Sequence, residues 1–367
     1  MKSAWFASAL VLAILLPTGA AAAEAPMDAA ATSVLMEADT GRVLWEKNGD
    51  EPRLIASTTK IMTALIALET LDPDLTVTVD PKWTGVEGSS MYLRPGQEIT
   101  VRDLLYGLML ASGNDAAAAL ACAAAGSIEA FAAQMNRKAA ALGCRNTHFE
   151  NPSGLDGENH RASARDLALI TREALENEMF REIVSTPSRT VGEHTFSNHN
   201  RLLRECEGVF GVKTGYTKAA GRTLVTCCER GGVTLICVTL SDPDDWNDHR
   251  AFYDWGFGEF VREEVVPRNS AWFVPVVGGV REEVPVILSD PLFVFRRADE
   301  AVRVEVRLPS FVYAGIRAGA TAGEAVIYID GEPVSSEELV FAGNVDRADS
   351  RKDSISGWDR FIRSTHL

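Results

Sequence analysis

Ser57-Thr58-Thr59-Lys60, running directly into Ile61-Met62-Thr63-Ala64-Leu65-Ile66-Ala67-Leu68, is the stretch whose reading decides the fold. Two short strand-like runs precede it, and the apolar residues after it read as a helix continuing to Thr70. That context puts Ser57 at a helix N-terminus, with Lys60 one turn on and facing the same way. Free amides and the positive end of the helix dipole gather there, which suits a serine that must become an alkoxide. Alone the tetrad means little, because a serine before an apolar run is more often a helix cap. Two companions follow it in the chain, Ser112-Gly113-Asn114 and Lys213-Thr214-Gly215. Separately these are a turn and a strand ending in a bend. Their joint presence, in this order, carries a catalytic reading.

A serine hydroxyl is a poor nucleophile and needs a nearby base. The chain has six histidines, none in a setting that suggests a Ser-His-Asp arrangement. Lys60 is the better base, provided that burial and a cationic neighbour lower its pKa toward neutrality. Lys213 is such a neighbour. Ser112 is suited to pass a proton between Lys60 and a leaving group, and the Asn114 amide to hold a substrate amide or the Lys60 side chain. Lys213 and Thr214 offer a cation and a hydroxyl to an anionic substrate end. Gly215 has no side chain, so a substrate backbone can lie against that strand. Neither a metal nor a cofactor is expected.

The three motifs resemble those of the serine-lysine penicillin-binding protein and β-lactamase group. The surrounding residues are most similar to low-molecular-mass D-alanyl-D-alanine carboxypeptidases. Leu35-Met36-Glu37-Ala38-Asp39-Thr40-Gly41, Gly88-Ser89-Ser90-Met91 and Leu110-Ala111-Ser112-Gly113-Asn114-Asp115-Ala116 carry the resemblance, with Asn151-Pro152-Ser153-Gly154-Leu155-Asp156 and Gly211-Val212-Lys213-Thr214-Gly215-Tyr216-Thr217. It runs from about residue 31 to residue 258, and more faintly through the C-terminal part. Two departures stand out. Ser153 occupies a place where histidine is frequent, and Thr234 one where many relatives carry an arginine that helps hold the substrate carboxylate.

The resemblance implies a transpeptidase-like fold and removal of the terminal D-alanine from peptidoglycan stem peptides. Ser57 attacks the carbonyl of the penultimate D-alanine, water resolves the acyl-enzyme, and the backbone amides of Ser57 and Tyr216 are the implied oxyanion donors. β-Lactam antibiotics acylate the same serine. A DD-endopeptidase or transpeptidase shares this chemistry and differs in the acceptor. A β-lactamase needs fast deacylation, usually through an added glutamate. Glu173-Ala174-Leu175-Glu176-Asn177 lies in the right interval but misses the Glu-x-x-Leu-Asn spacing.

With 367 residues the chain has room for two domains with full cores. Residues 1–23 read as a secretory signal: Lys2, the apolar run from Ala9 to Leu16, then Ala21-Ala22-Ala23. An exported protein is therefore expected, extracytoplasmic and either secreted or associated with the outer face of the membrane. The formal net charge of −15, from 36 basic and 51 acidic side chains, argues against nucleic acid as a partner. Six cysteines are few for the length and lack paired metal spacing, so they read mostly as small buried residues.

Ser33 to Glu37 and Arg42 to Glu46 flank a hairpin turn at Asp39-Thr40-Gly41. Helical stretches follow up to residue 176. Strands are expected from Phe210 to Tyr216, Arg222 to Cys228 and Val233 to Leu240, and a helix from His249 to Gly256. Strands at both ends with helices between them suit an antiparallel sheet flanked by helices, an α/β chain of the α+β kind. The expected catalytic domain covers residues 24–262. Short strand-like runs between Gly, Pro and Asp turns follow, predicting a small all-β domain over 263–345. The tail, 346–367, brings Ile355, Trp358, Phe361 and Ile362 beside Lys352, Arg360 and Arg363, a pattern open to peripheral membrane contact or to a solvated extension.

Overall fold

The computed structural model describes residues 7–12 and 23–348. The tail from Asp353 and most of the leader lie outside the described residues. Of the leader, Ala7–Leu12 (β1) forms a strand antiparallel to Val302–Pro309 in the C-terminal half. The chain divides into two compact units between Glu259 and Phe260, with the leader grouped with the C-terminal unit.

The unit from Ala23 to Glu259 is built on the expected hairpin, Thr32–Glu37 (β2) and Val43–Lys47 (β3). A 3₁₀ turn, Ala56–Thr59, leads into helix α1, Lys60–Thr70. A short ribbon, Thr76–Thr78 (β4) and Glu98–Thr100 (β5), precedes α2, Val101–Leu110, and α3, Asn114–Ala125. Then come α4, Ile128–Ala141; α5, Ala164–Leu175; and α6, Glu178–Ser185. A second hairpin, Ser188–Val191 (β6) and His194–Ser197 (β7), is followed by the single turn α7, Leu202–Glu205. Three long strands close the sheet: β8, Val209–Thr217; β9, Gly221–Arg230; and β10, Val233–Leu240. The last helix, α8, spans Asp245–Glu259 and begins four residues before the sequence pattern suggests.

Local chemistry explains the helix starts. Thr100, Ser127, Ser163 and Asn177 each accept a hydrogen bond from the amide three residues on, satisfying a donor that the first turn leaves free. The sheet runs β3-β2-β10-β9-β8, antiparallel throughout, so the first hairpin of the unit joins its last strands through the pairing of β2 with β10.

The period of two in the strands divides their side chains between two covered faces. Val34, Met36, Val225, Ile236 and Val238 join the core that α1, α2 and α5 complete. The other face meets α8, where Thr226 and Thr239 hold the two ring nitrogens of the buried His249 at 2.6 and 3.1 Å. β8 is an edge strand, which leaves one side of its backbone free of a sheet partner. The α6 helix and the β6–β7 hairpin are absent from the sequence expectations. In α6 the apolar residues Phe180, Ile183 and Val184 recur at helical spacing and are buried.

Among the described residues the C-terminal unit is all β apart from its turns. Phe260–Val266 (β11) pairs with Leu292–Arg297 (β14). Ala271–Val277 (β12), Glu283–Leu288 (β13), Val302–Pro309 (β15), Val312–Tyr313 (β16), Thr321–Ile329 (β17) and Glu332–Phe341 (β18) form the larger sheet, together with β1. Alternation along β15 buries Val302, Val304 and Val306 in a separate apolar core. Among the described residues no single helix is long and apolar enough to cross a membrane.

Candidate active site

Ser57 sits in the 3₁₀ turn rather than in α1 itself, and several bonds hold that turn. The Ile55 carbonyl accepts from the Thr58 amide, the Thr58 hydroxyl and the Thr223 hydroxyl of β9 at 3.2, 2.6 and 3.1 Å. Ala56 is in the left-handed region at φ 46°, uncommon for a residue with a Cβ. Burial pushes the His160 imidazole down to about 4, so it is neutral. Its Nδ1 accepts from the Glu150 amide at 3.0 Å, which leaves the proton on Nε2 to donate to Thr59 Oγ1 at 2.8 Å. Thr59 in turn donates to the Ala56 carbonyl at 2.9 Å.

Lys60, the first residue of α1, is fully buried. Its Nζ lies 3.0 Å from Ser57 Oγ, 2.7 Å from Asn114 Oδ1 and 2.5 Å from the Ser153 carbonyl oxygen. Burial, and after it the charge of Lys213, hold its pKa well below the ordinary lysine value, with Asp115 opposing. Lys213 is also buried and donates to the Thr214 carbonyl at 3.0 Å; burial pushes it down to about 7. Two cations in one dry site are costly, which favours the neutral form of Lys60 beside a charged Lys213.

Asn114 opens α3. Its side chain accepts from Lys60 and donates to the Glu87 carbonyl at 2.6 Å, while its amide donates to the Ser89 carbonyl at 2.7 Å. The next residue, Asp115, accepts from Ser90 Oγ and from the amides of Met91 and Leu93 at 2.6, 2.9 and 3.1 Å. The segment from Glu87 to Leu93 is thereby tied to the start of α3. Gly88 belongs there because its φ is 90° and a Cβ would stand 2.7 Å from Asn114 Nδ2. Ser112, just after α2, is buried with a left-handed backbone, φ 57°.

Ser57, Ser89, Ser112, His199, Thr214, Gly215 and Tyr216 line one pocket of about 530 Å³, with Arg222, Thr223, Asp245 and Trp246. Gly215 lets the sheet approach Ser57. A Cβ there would meet Thr223 Oγ1 at 2.3 Å and the Ser57 amide nitrogen at 3.0 Å. The structure therefore gathers Ser57, Lys60, Ser112, Asn114, Lys213, Thr214, Gly215 and Tyr216 in one place.

The structure also places other residues weighed in the sequence. Ser153 reaches Lys60 through its main-chain carbonyl, so the side chain at that position does not enter the contact. Thr234 lies near the start of β10 and pairs with Glu229, whereas the pocket end of β10 is Leu240, opposite Thr223. An arginine at position 234 would not reach a substrate held at Thr214. Glu173 projects from α5 to Lys138, at 2.7 Å, and is not among the pocket residues. His199 lines the pocket, and burial and then the Lys213 charge hold its pKa below the ordinary value. Sequence reasoning also passed over Ser89, Arg222, Asp245 and Trp246 as site residues, because the loop before α3, strand β9 and the first turn of α8 meet there only through tertiary packing.

Residues 19–244 match the family model described as D-alanyl-D-alanine carboxypeptidase, Peptidase_S11. The chain is 33% identical to the D-alanyl-D-alanine carboxypeptidase DacF of Bacillus subtilis (strain 168), over 96% of this chain and 98% of that one. Its fold is similar to that of penicillin binding protein 5 from Haemophilus influenzae, with a TM-score of 0.74 and 28% identity, covering 89% of this chain and 100% of the other. It is also similar to a mutant form of the Streptomyces K15 DD-transpeptidase, with a TM-score of 0.62 and 35% identity over 64% and 99% of the two chains.

Proposed function

The chain belongs to the D-alanyl-D-alanine carboxypeptidase family of serine peptidases, and from that premise we propose how its own residues act on the terminal D-alanine of peptidoglycan stem peptides. One observation carries the proposal: Lys60 Nζ, dry and depressed in pKa, has three oxygen neighbours, one of which is Ser57 Oγ. A neutral amine has two protons and one lone pair. The protons go to Asn114 Oδ1 and the Ser153 carbonyl, which leaves the lone pair for the Ser57 hydroxyl.

Substrate lies extended along the free edge of β8, in the manner of an added strand. Ser57 Oγ attacks the carbonyl carbon of the penultimate D-alanine while its proton passes to Lys60. The tetrahedral oxyanion is held by the Ser57 and Tyr216 amides, each such donor contributing roughly 3 kcal/mol. As the C–N bond breaks, the proton moves from Lys60 through Ser112 to the leaving D-alanine amine. Water then attacks the ester, regenerating Ser57 and releasing the shortened peptide. A β-lactam acylates the same serine.

The transpeptidase reading has support of its own, because the Streptomyces K15 relative is described as a DD-transpeptidase. The β-lactamase reading has none, with Glu173 held by Lys138 away from the pocket. Work outside the cytoplasm follows from the leader composition and the substrate. The tail adds a weak peripheral contact to anionic lipid through Trp358, Phe361 and Ile362 beside Arg360 and Arg363.

Incubation with a pentapeptide, following free D-alanine and product masses, tests the function. Tetrapeptide and D-alanine in equal amounts are expected. Dominant cross-linked product in the presence of an amine acceptor would favour transpeptidation, and no release of D-alanine would refute the activity.

A further inference from the structure

We propose that Cys206 and Cys228 form an exchangeable thiol pair, a modification site that a small disulfide such as oxidised glutathione closes into one intramolecular bond. Both are free thiols in this structure, and neither lines the pocket of Ser57. The pair stands apart from the catalytic motifs, so the peptidase reading and this one succeed or fail separately.

Topology brings the two cysteines together across the turn from α7 into β8. Cys206 follows α7, its amide donating to the Leu202 carbonyl at 3.0 Å, and its carbonyl accepts from the Val209 amide at 3.2 Å. Val209 opens β8 and is the cross-strand partner of Cys228 on β9. The ends of such a turn lie within about 7 Å at Cα, and antiparallel partners about 5 Å apart. A disulfide spans about 4.4–6.8 Å at Cα, a reach that these two short links make available.

The sulfur contacts are more direct. Cys228 Sγ donates to the Glu207 carbonyl at 3.4 Å, on the residue next to Cys206. A Cβ at Gly208 would stand 3.0 Å from the same sulfur, so the thiol lies against the turn itself. Arg230 joins the two sides. Its Nε donates to the Glu207 carbonyl at 3.1 Å and its Nη2 to Cys206 Sγ at 3.7 Å. The same guanidinium also hydrogen-bonds Cys228. Strand alternation decides which of two adjacent cysteines takes part. Thr226 meets His249 and Tyr253 of α8, and Arg230 meets Asp254 there. Cys228, midway between them on β9, shares that face, whereas Cys227 joins the opposite core with Val225 and Ile236.

The exchange balances without any group from the catalytic site. Cys206 is half-buried and Cys228 buried, so the Cys206 thiolate attacks first. It displaces one glutathione thiolate from the oxidised dimer and leaves a mixed disulfide on Cys206. Cys228 then attacks the Cys206 sulfur and expels the second glutathione. The two protons lost by the cysteines end on the two released thiols; the protein pair gives up two electrons, and glutathione gains them. Burial raises both thiols above the ordinary cysteine value, Cys228 to about 12, with Arg230 opposing the rise at each. The exchange is therefore slow near neutral pH and faster as pH rises. The closed bond would fix the far end of a segment whose near end reaches the site, where His199 lines the pocket and Asn200 donates to the Gly211 carbonyl at 2.7 Å.

The test incubates the folded full chain with oxidised glutathione at about pH 8.5 for hours, a time that thiol exchange requires. Alkylation under denaturing conditions and peptide mapping by mass spectrometry follow. Both thiols should be lost together, with a peptide pair linked through Cys206 and Cys228, no glutathione retained on either, and recovery of both thiols on reduction. The linked pair should vanish in Cys206→Ser, a half-buried position where serine is tolerated, and persist in Cys227→Ser. Unchanged thiols in wild type would overturn the inference. Glutathione retained on Cys206 as the final product, or a bond made through Cys227, would overturn it as well.

Discussion

In the proposed mechanism Lys60 acts as a neutral amine and Lys213 as a cation in one site. The base must be unprotonated, so acylation rises with pH through the depressed pKa of Lys60. Lys213 must keep its proton to favour the anionic substrate end and to hold Lys60 neutral, so the rate falls as pH passes about 7. A bell-shaped profile of kcat/KM follows, with Lys213 setting its alkaline side. Lys213→Met removes the neighbouring charge that lowers Lys60, so the acid limb should move to higher pH and the alkaline limb near 7 should vanish. Acylation rates against pH for the two proteins decide this; an unmoved acid limb in the variant would show that Lys213 does not act on Lys60.

At the scale of elements, the site depends on a close approach of β8 and β9 to the nucleophile turn. Thr223 bonds the Ile55 carbonyl from β9, and Gly215 of β8 leaves space beside the Ser57 amide. Gly215→Ala should therefore slow penicillin acylation by more than about tenfold and destabilise the unit by roughly 1–3 kcal/mol, through overpacking. Removing the crowded hydroxyl in Gly215→Ala/Thr223→Ala should restore part of the rate. A single variant with wild-type kinetics and melting would contradict the close packing. This level separates what the sequence reveals from what it conceals. The order Ser57-Lys60, Ser112-Asn114, Lys213-Gly215 is legible because each motif is local and chemically distinct. The strands β8 to β10 are legible from apolar runs bounded by Gly. Arg222 and Asp245 are not, because their meeting depends on how α8 packs on β9 and on where α8 begins. The contact of Ser153 is hidden for another reason: a carbonyl has no residue type.

Over the whole molecule, the residues lining the pocket all fall between Ala23 and Glu259, and the C-terminal unit has its own apolar core. A chain of residues 24–259 should fold, as judged by circular dichroism, and keep penicillin acylation. Lacking the tail, it should lose whatever salt-sensitive binding to anionic vesicles the chain from residue 24 to 367 shows. A folded but unreactive fragment would mean that the C-terminal unit helps to form the site, and equal sedimentation of the two proteins would exclude the tail contact. The central claim is that Ser57, activated by Lys60, forms the acyl-enzyme. Its most direct measurement is peptide mapping by mass spectrometry after brief reaction with a penicillin. One adduct per chain is predicted, on the peptide containing Ser57, and none in Ser57→Ala. An adduct on another residue, or undiminished labelling of Ser57→Ala, would contradict the account.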